Sequence, residues 1–134
     1  MIAVDTNVLV RLLVGDDLTQ RERAAALFAQ AEAIFIAKTV LLESAWVLQS
    51  AYAFPRTDVA DALGKLAGLP NVVVEDAERV AQALGHAQRG VDVADALHVA
   101  SSSEAETFYT FDQRLIRQAG AQGLVIAEPP HQSG

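Results

Sequence analysis

The sequence predicts an α/β fold, a single domain built on a parallel sheet of about five strands flanked by helices. Three observations predict it. Five short apolar runs alternate with longer stretches of helical periodicity, the pattern of strand–helix–strand units whose sheet is covered on both faces. The chain has 134 residues, enough for one domain with a real core. Hydrophobic residues make up 51% and charged residues 20%, which excludes a disordered chain.

The predicted strands are Ile2–Val4, Ile34–Ala37, Val72–Val74, Thr107–Phe111 and Leu124–Ala127. Right-handed crossovers between parallel strands leave few topologies, and the order 3-2-1-4-5 is expected. "NVLVRLLV" reads as a short helix ended by Gly15-Asp16-Asp17, and "TQRERAAALFAQA" as a second opened by a capping box of Thr19 and Glu22. "TVLLESAWVLQSAY" is expected to start from a cap at Thr39. "TDVADALGKLAGLP" stops at the pair Gly68 and Pro70. "DAERVAQALGHAQRG" runs from Asp76 to Gly90, "DVADALHVASSS" opens at Asp92, and "DQRLIRQAG" opens at Asp112 and stops near Gly120. The domain is expected over 1–127. The polar, proline-containing tail "EPPHQSG" (128–134) is expected to be flexible, and His131 with it.

Without cysteine, disulfides and thiolate metal sites are excluded, and a cytoplasmic location is expected. No apolar run approaches the roughly 20 residues that span a bilayer, and no basic leader marks a signal peptide. The net charge of −7 argues against nucleic acid as a partner when taken as a sum. Four carboxylates gathered round a cation would absorb more than half of it, and the ion would reverse the local field. Eight of the ten basic residues are arginines, suited to bidentate phosphate contacts, but they form no patch in sequence.

Chain direction places the acids. All strands of a parallel sheet end at one edge. Asp5 and Asp112 directly follow strands 1 and 4. Glu43 lies early in the helix after strand 2. Asp95 lies in the first turn of the helix before strand 4, which is expected to start at the same edge. Ligands of open α/β sheets bind at that rim. Four unpaired carboxylates there would repel one another and raise their own pKa values. A hard divalent cation, Mg²⁺ or Mn²⁺, resolves the repulsion with oxygen ligands.

Each acid also has a plainer use. Asp5 and Asp112 are good N-caps for the helices they precede. Glu43 shares a thin polar stripe with Thr39 and Ser50 on a helix otherwise apolar at Val40, Leu41, Leu42, Ala45, Trp46 and Val47, so it is expected to be buried and in need of a partner. Asp92 and Asp95 stand three residues apart. Asp95 is preferred for the site because Asp92 already serves as the N-cap, and Asp92 is the second choice. Glu75 and Asp76 are expected to cap the helix that follows them. Asp16 and Asp17 fall in a turn, and Asp58 and Asp61 open a helix at the opposite end. His98 reads as a partly buried structural histidine and His86 as a solvated one.

These residues resemble the PIN-domain ribonucleases, and most closely the VapC toxins of bacterial toxin–antitoxin pairs. "VDTNVLVRLL", "LLESAWVL", "DVADALHVA" and "TFD" at 110–112 stand in the family's order, over nearly the whole chain. The resemblance implies a PIN-like domain in which Asp5, Glu43, Asp95 and Asp112 bind Mg²⁺ or Mn²⁺, with Thr6, Asn7 and Thr110 as the small polar residues that orient the carboxylates. It also implies an RNA substrate, a homodimer, and a cognate antitoxin that blocks the groove. The chemistry expected is attack of activated water on the phosphorus, leaving a 5′-phosphate and a 3′-hydroxyl, with Arg11, Arg114 or Arg117 steering backbone phosphates. The RNA target is not legible, and no aromatic stacking motif stands out.

Two other readings compete. A phosphotransfer receiver or a haloacid-dehalogenase-like phosphatase also places an acid after strand 1. The receiver wants a lysine near strand 5, and no lysine follows Lys65; the phosphatase wants a second Asp where Asn7 stands. Alternatively the acids are only caps, and the chain is a non-catalytic binding domain.

Overall fold

The computed structural model describes residues 1–132; Ser133 and Gly134, the end of the expected flexible tail, lie outside the described residues. In chain order the elements are β1 (Ile2–Ala3), α1 (Thr6–Val14), α2 (Leu18–Gln30), β2 (Ile34–Ile36), α3 (Lys38–Ser50), α4 (Arg56–Ala67), β3 (Val72–Val74), α5 (Ala77–Gln88), α6 (Val93–Ser101), β4 (Phe108–Tyr109), α7 (Gln113–Gly120) and β5 (Ile126–Ala127). The α/β class and the parallel pairing hold. The single five-stranded sheet does not, because the strands divide into a ladder β1-β2-β3 and a ladder β4-β5.

The division has a physical reason. A central strand of a parallel sheet is buried on both faces. Ile34 and Ile36 fill one face of β2 and are fully buried, and Phe35 on the other face is half-buried. By contrast Ile2 of β1 is 40% exposed and Tyr109 of β4 is 56% exposed. Neither strand is covered well enough to be an inner strand, so each ends its own ladder. The register is set by Ile2 opposite Ile34, Ile34 opposite Val72, and Phe108 opposite Ile126.

The core lies between β2 and the helices. Leu9 of α1, Leu41 and Leu48 of α3, Val59 and Leu63 of α4, Val80 of α5 and Val93 of α6 belong to one buried cluster with the two isoleucines. Each such side chain contributes about 1.5–3 kcal/mol. Helix starts follow cap chemistry, with corrections. Asp17 caps α2, accepting the Gln20 N–H at 3.0 Å, so the capping box at Thr19 is not used. α3 begins at Lys38 rather than from Thr39, and no side chain of its own caps it. Glu75, just past β3, accepts the Lys38 backbone N–H at 2.9 Å, reaching sideways to α3 instead of capping α5. Asp76 holds the N-cap position of α5 in a left-handed conformation (φ 50°) and makes no cap bond. Its carboxylate is taken by Lys38 at 3.2 Å and Arg79 at 3.4 Å.

Candidate active site

Asp5 lies just beyond β1 and is exposed. Its extended backbone lets Oδ1 accept the Val8 N–H at 3.3 Å, so it caps α1. Asp112, just beyond β4 and also exposed, repeats the device: Oδ1 accepts the Leu115 N–H at 3.1 Å at the start of α7. Thr110 holds this corner, its hydroxyl accepting the Asp112 N–H at 3.0 Å. Of the other two small polar residues, Thr6 is buried and Asn7 is exposed in the first turn of α1. Capping engages one oxygen of each aspartate.

Asp92 caps α6, its Oδ2 accepting the Asp95 N–H at 3.2 Å, and its Oδ1 lies 4.0 Å from Arg56 Nε. Asp95 is the third residue of α6 and half-buried. Burial pushes the Asp95 carboxyl above the usual carboxylate range, and the charges of Asp92 and Asp112 push it further; His98 and Arg56 oppose the shift. Asp92, Asp95 and Asp112 thus share one electrostatic neighbourhood, although Asp112 comes from a separate element.

Glu43 departs from expectation. It is exposed, and Trp46, one turn further, is 66% exposed. The buried face of α3 is Leu41, Ser44, Ala45 and Leu48. The buried polar side chain on this helix is therefore Ser44, whose hydroxyl is fully enclosed and has no hydrogen-bond partner among the described residues. The direction of α6 departs as well. Its end, not its start, abuts the carboxyl end of β2: Lys38 Nζ donates to Ser101 Oγ at 3.3 Å, and Arg79 Nε donates to Ser103 Oγ at 2.7 Å. Asp95 precedes Ser101 by six residues, about 9 Å along the helix axis.

Among the described residues, no three His, Asp or Glu side chains approach closely enough to hold a metal ion. The four candidate acids nonetheless fit a hard cation in donor chemistry, since all are carboxylates. They also fit in charge. Among the described residues none of the four forms an ion pair with lysine, arginine or histidine, in contrast to Asp16, Asp76, Asp92 and Glu104.

The histidines and arginines sort themselves differently from the sequence reading. His98 is exposed. His86 is half-buried and bonded through Nδ1 to Gln122. Arg11 is not available for phosphate: it is held by Asp16 at 2.9 Å and Gln20 at 2.7 Å and touches the Tyr52 hydroxyl. Arg114 and Arg117 are exposed on α7 and, among the described residues, make no ion pair. Sequence reasoning missed the Lys38–Asp76–Arg79 cluster, for which Glu75-Asp76 after a strand was the available signal. A cleft of about 550 Å³ lies between α4 and α5, lined by small residues such as Gly64, Gly68, Ala81 and Gly85, and none of the candidate acids lines it. Among the described residues no helix is long and apolar enough to cross a membrane.

The family model for the PIN domain matches residues 2–121. Among solved structures the chain is similar to VapC20 of Mycobacterium tuberculosis, a Sarcin-Ricin loop cleaving toxin, at 24% identity and a TM-score of 0.46, over 96% of this chain and 100% of that one. No curated protein is a significant match to the sequence.

Proposed function

We propose that the chain, which belongs to the PIN-domain family, is a Mg²⁺-dependent endoribonuclease acting as the toxin of a toxin–antitoxin pair. The observation that supports the cation is Asp95, a half-buried carboxyl that forms no ion pair among the described residues and whose pKa is raised by burial first and then by the neighbouring charges of Asp92 and Asp112. The four residues proposed to hold the ion are Asp5, Glu43, Asp95 and Asp112. Bound there, Mg²⁺ or Mn²⁺ supplies an acidified water and a counter-charge for the leaving oxygen.

The chain's own residues do the rest. Asp5 and Asp112 hold their carboxylates at helix N-termini, where backbone N–H groups also draw phosphate. Thr110 fixes the backbone of Asp112. Thr6 and Asn7 follow Asp5 and are proposed to steady it. Attack by water, rather than by the RNA 2′-hydroxyl, leaves a 5′-phosphate and a 3′-hydroxyl. The motif order supports the toxin assignment, and with it an antitoxin that covers the groove and a homodimer. The experiment is RNA cleavage by the purified protein with and without Mg²⁺. Cleavage that survives Asp5→Asn sinks the residue assignment, and cleavage unaffected by a chelator sinks the cation.

One observation favours a second reading. Asp5, Asp92 and Asp112 all serve as caps, as they would in a domain that binds a partner without cutting RNA. Calorimetry with Mn²⁺ separates the two, because a metal that binds the native state also raises its melting temperature.

A further inference from the structure

The ladder β4-β5 leaves an apolar face uncovered. Phe108, Leu124 and Ile126 pack against the core, while the alternate residues Tyr109 and Val125 are 56% and 66% exposed. Phe111, in the bend that follows β4, is 73% exposed. Two large aromatic side chains two residues apart in sequence thus stand in solvent at the carboxyl end of β4. Such exposure is costly in water and marks a contact surface.

The surroundings indicate what covers it. Phe111 is followed directly by Asp112, one of the proposed cation ligands, so the face runs on into the proposed site. On the other side of Asp112, α7 carries Arg114 and Arg117, both exposed. With Leu115 and Ala119 buried, these arginines share the outer surface of the helix. Exposed aromatic rings followed within a few residues by guanidinium groups that make no ion pair among the described residues match the two parts of a single nucleic-acid strand, its bases and its phosphates. A protein partner would use the rings but leave the arginine charge without a role in a chain whose net charge is −7.

We propose that Tyr109 and Phe111 form a stacking platform for bases of single-stranded RNA, with Arg114 and Arg117 holding the adjoining phosphates, so that the strand enters the site over β4. This rests on the reading of the chain as a ribonuclease and adds a positioning surface to it.

The test measures binding without cleavage. The full chain, in EDTA, is titrated against labelled oligoadenylate and against an abasic strand of the same length. Oligoadenylate binds more tightly than the abasic strand. Tyr109→Ser and Phe111→Ser each weaken oligoadenylate about tenfold or more and leave the abasic strand unchanged. Arg114→Gln and Arg117→Gln weaken both strands and each lowers the salt slope by about 0.7. Circular dichroism and sedimentation of each variant confirm fold and assembly. Equal binding of both strands by the natural chain overturns the platform, as does unchanged oligoadenylate affinity in both serine variants. If the serine variants change the sedimenting mass while RNA affinity stays the same, the face is a protein contact and the proposal fails. Base-dependent binding by a chain that does not cleave RNA with Mg²⁺ leaves the platform standing and removes the nuclease reading alone.

Discussion

The backbone N–H of Asp95 donates to Asp92 Oδ2 at 3.2 Å, so two acids one helical turn apart have divided their duties. Asp92 holds the helix start and lies near Arg56, and Asp95 keeps both carboxylate oxygens for something else. Asp92→Ala is expected to cost about 1 kcal/mol through the lost cap, whereas Asp92→Asn retains the cap and most of the activity. Asp95→Asn is expected to reduce RNA cleavage a hundredfold or more, roughly the loss that follows removal of a group acting on transition-state charge. Chemical denaturation and cleavage rates on the same variants check the division; equal activity losses in Asp92→Asn and Asp95→Asn would refute it.

Asp5→Asn and Glu43→Gln should separate activity from stability. Asparagine caps a helix about as well as aspartate, and Glu43 is exposed. Both variants are expected to melt within about 0.5 kcal/mol of the natural chain and to lose Mg²⁺-dependent cleavage. A large fall in melting temperature with cleavage retained would mean that these carboxylates serve the fold alone.

Ser44 carries the opposite expectation. Its hydroxyl is fully buried and unpaired, a condition that costs about 1–3 kcal/mol. Ser44→Ala is expected to stabilise the protein by about 1 kcal/mol in a urea titration. Destabilisation instead would reveal a hydrogen bond made by this hydroxyl in solution.

Asp76 gives a pH dependence with a definite sign. Its carboxyl is held below the usual range first by the hydrogen bond from Lys38 and then by Arg79. A depressed folded-state value means the ionised form is the stabilising one. Its contribution is complete above the ordinary carboxylate range and fades as pH falls through the depressed value. Asp76→Asn keeps a residue that tolerates the left-handed backbone. It is expected to melt below the natural chain at neutral pH, with the difference closing in acid. A gap that stays constant with pH would show that charge is not the cause.

Element existence was legible because periodicity reports burial directly: each predicted strand and helix is found within a few residues. What was illegible depended on neighbours distant in sequence. The apolar run Val40-Leu41-Leu42 hid the buried face of α3. Only the spacing Leu41, Ser44, Ala45, Leu48 shows it, and that spacing puts Glu43 outside. The split of the sheet turned on Ile2 and Tyr109, whose hydrophobicity reads equally as core or as contact surface. For the site, the caps at Asp5, Asp92 and Asp112 could be read from local pattern. The direction of α6 could not, since it rests on Lys38 meeting Ser101 across 63 positions.

The start of α3 is borrowed. Lys38 hands its backbone N–H to a carboxylate 37 positions later in the chain, so nothing local tells this helix where to begin. A nascent chain leaving the ribosome exposes Lys38 before Glu75 has been synthesised, and the opening turn stays ragged until β3 settles beside β2. That turn is expected to settle late in assembly, and a fragment truncated ahead of residue 75 is expected to show its amide protons exchanging earlier than those of the rest of α3.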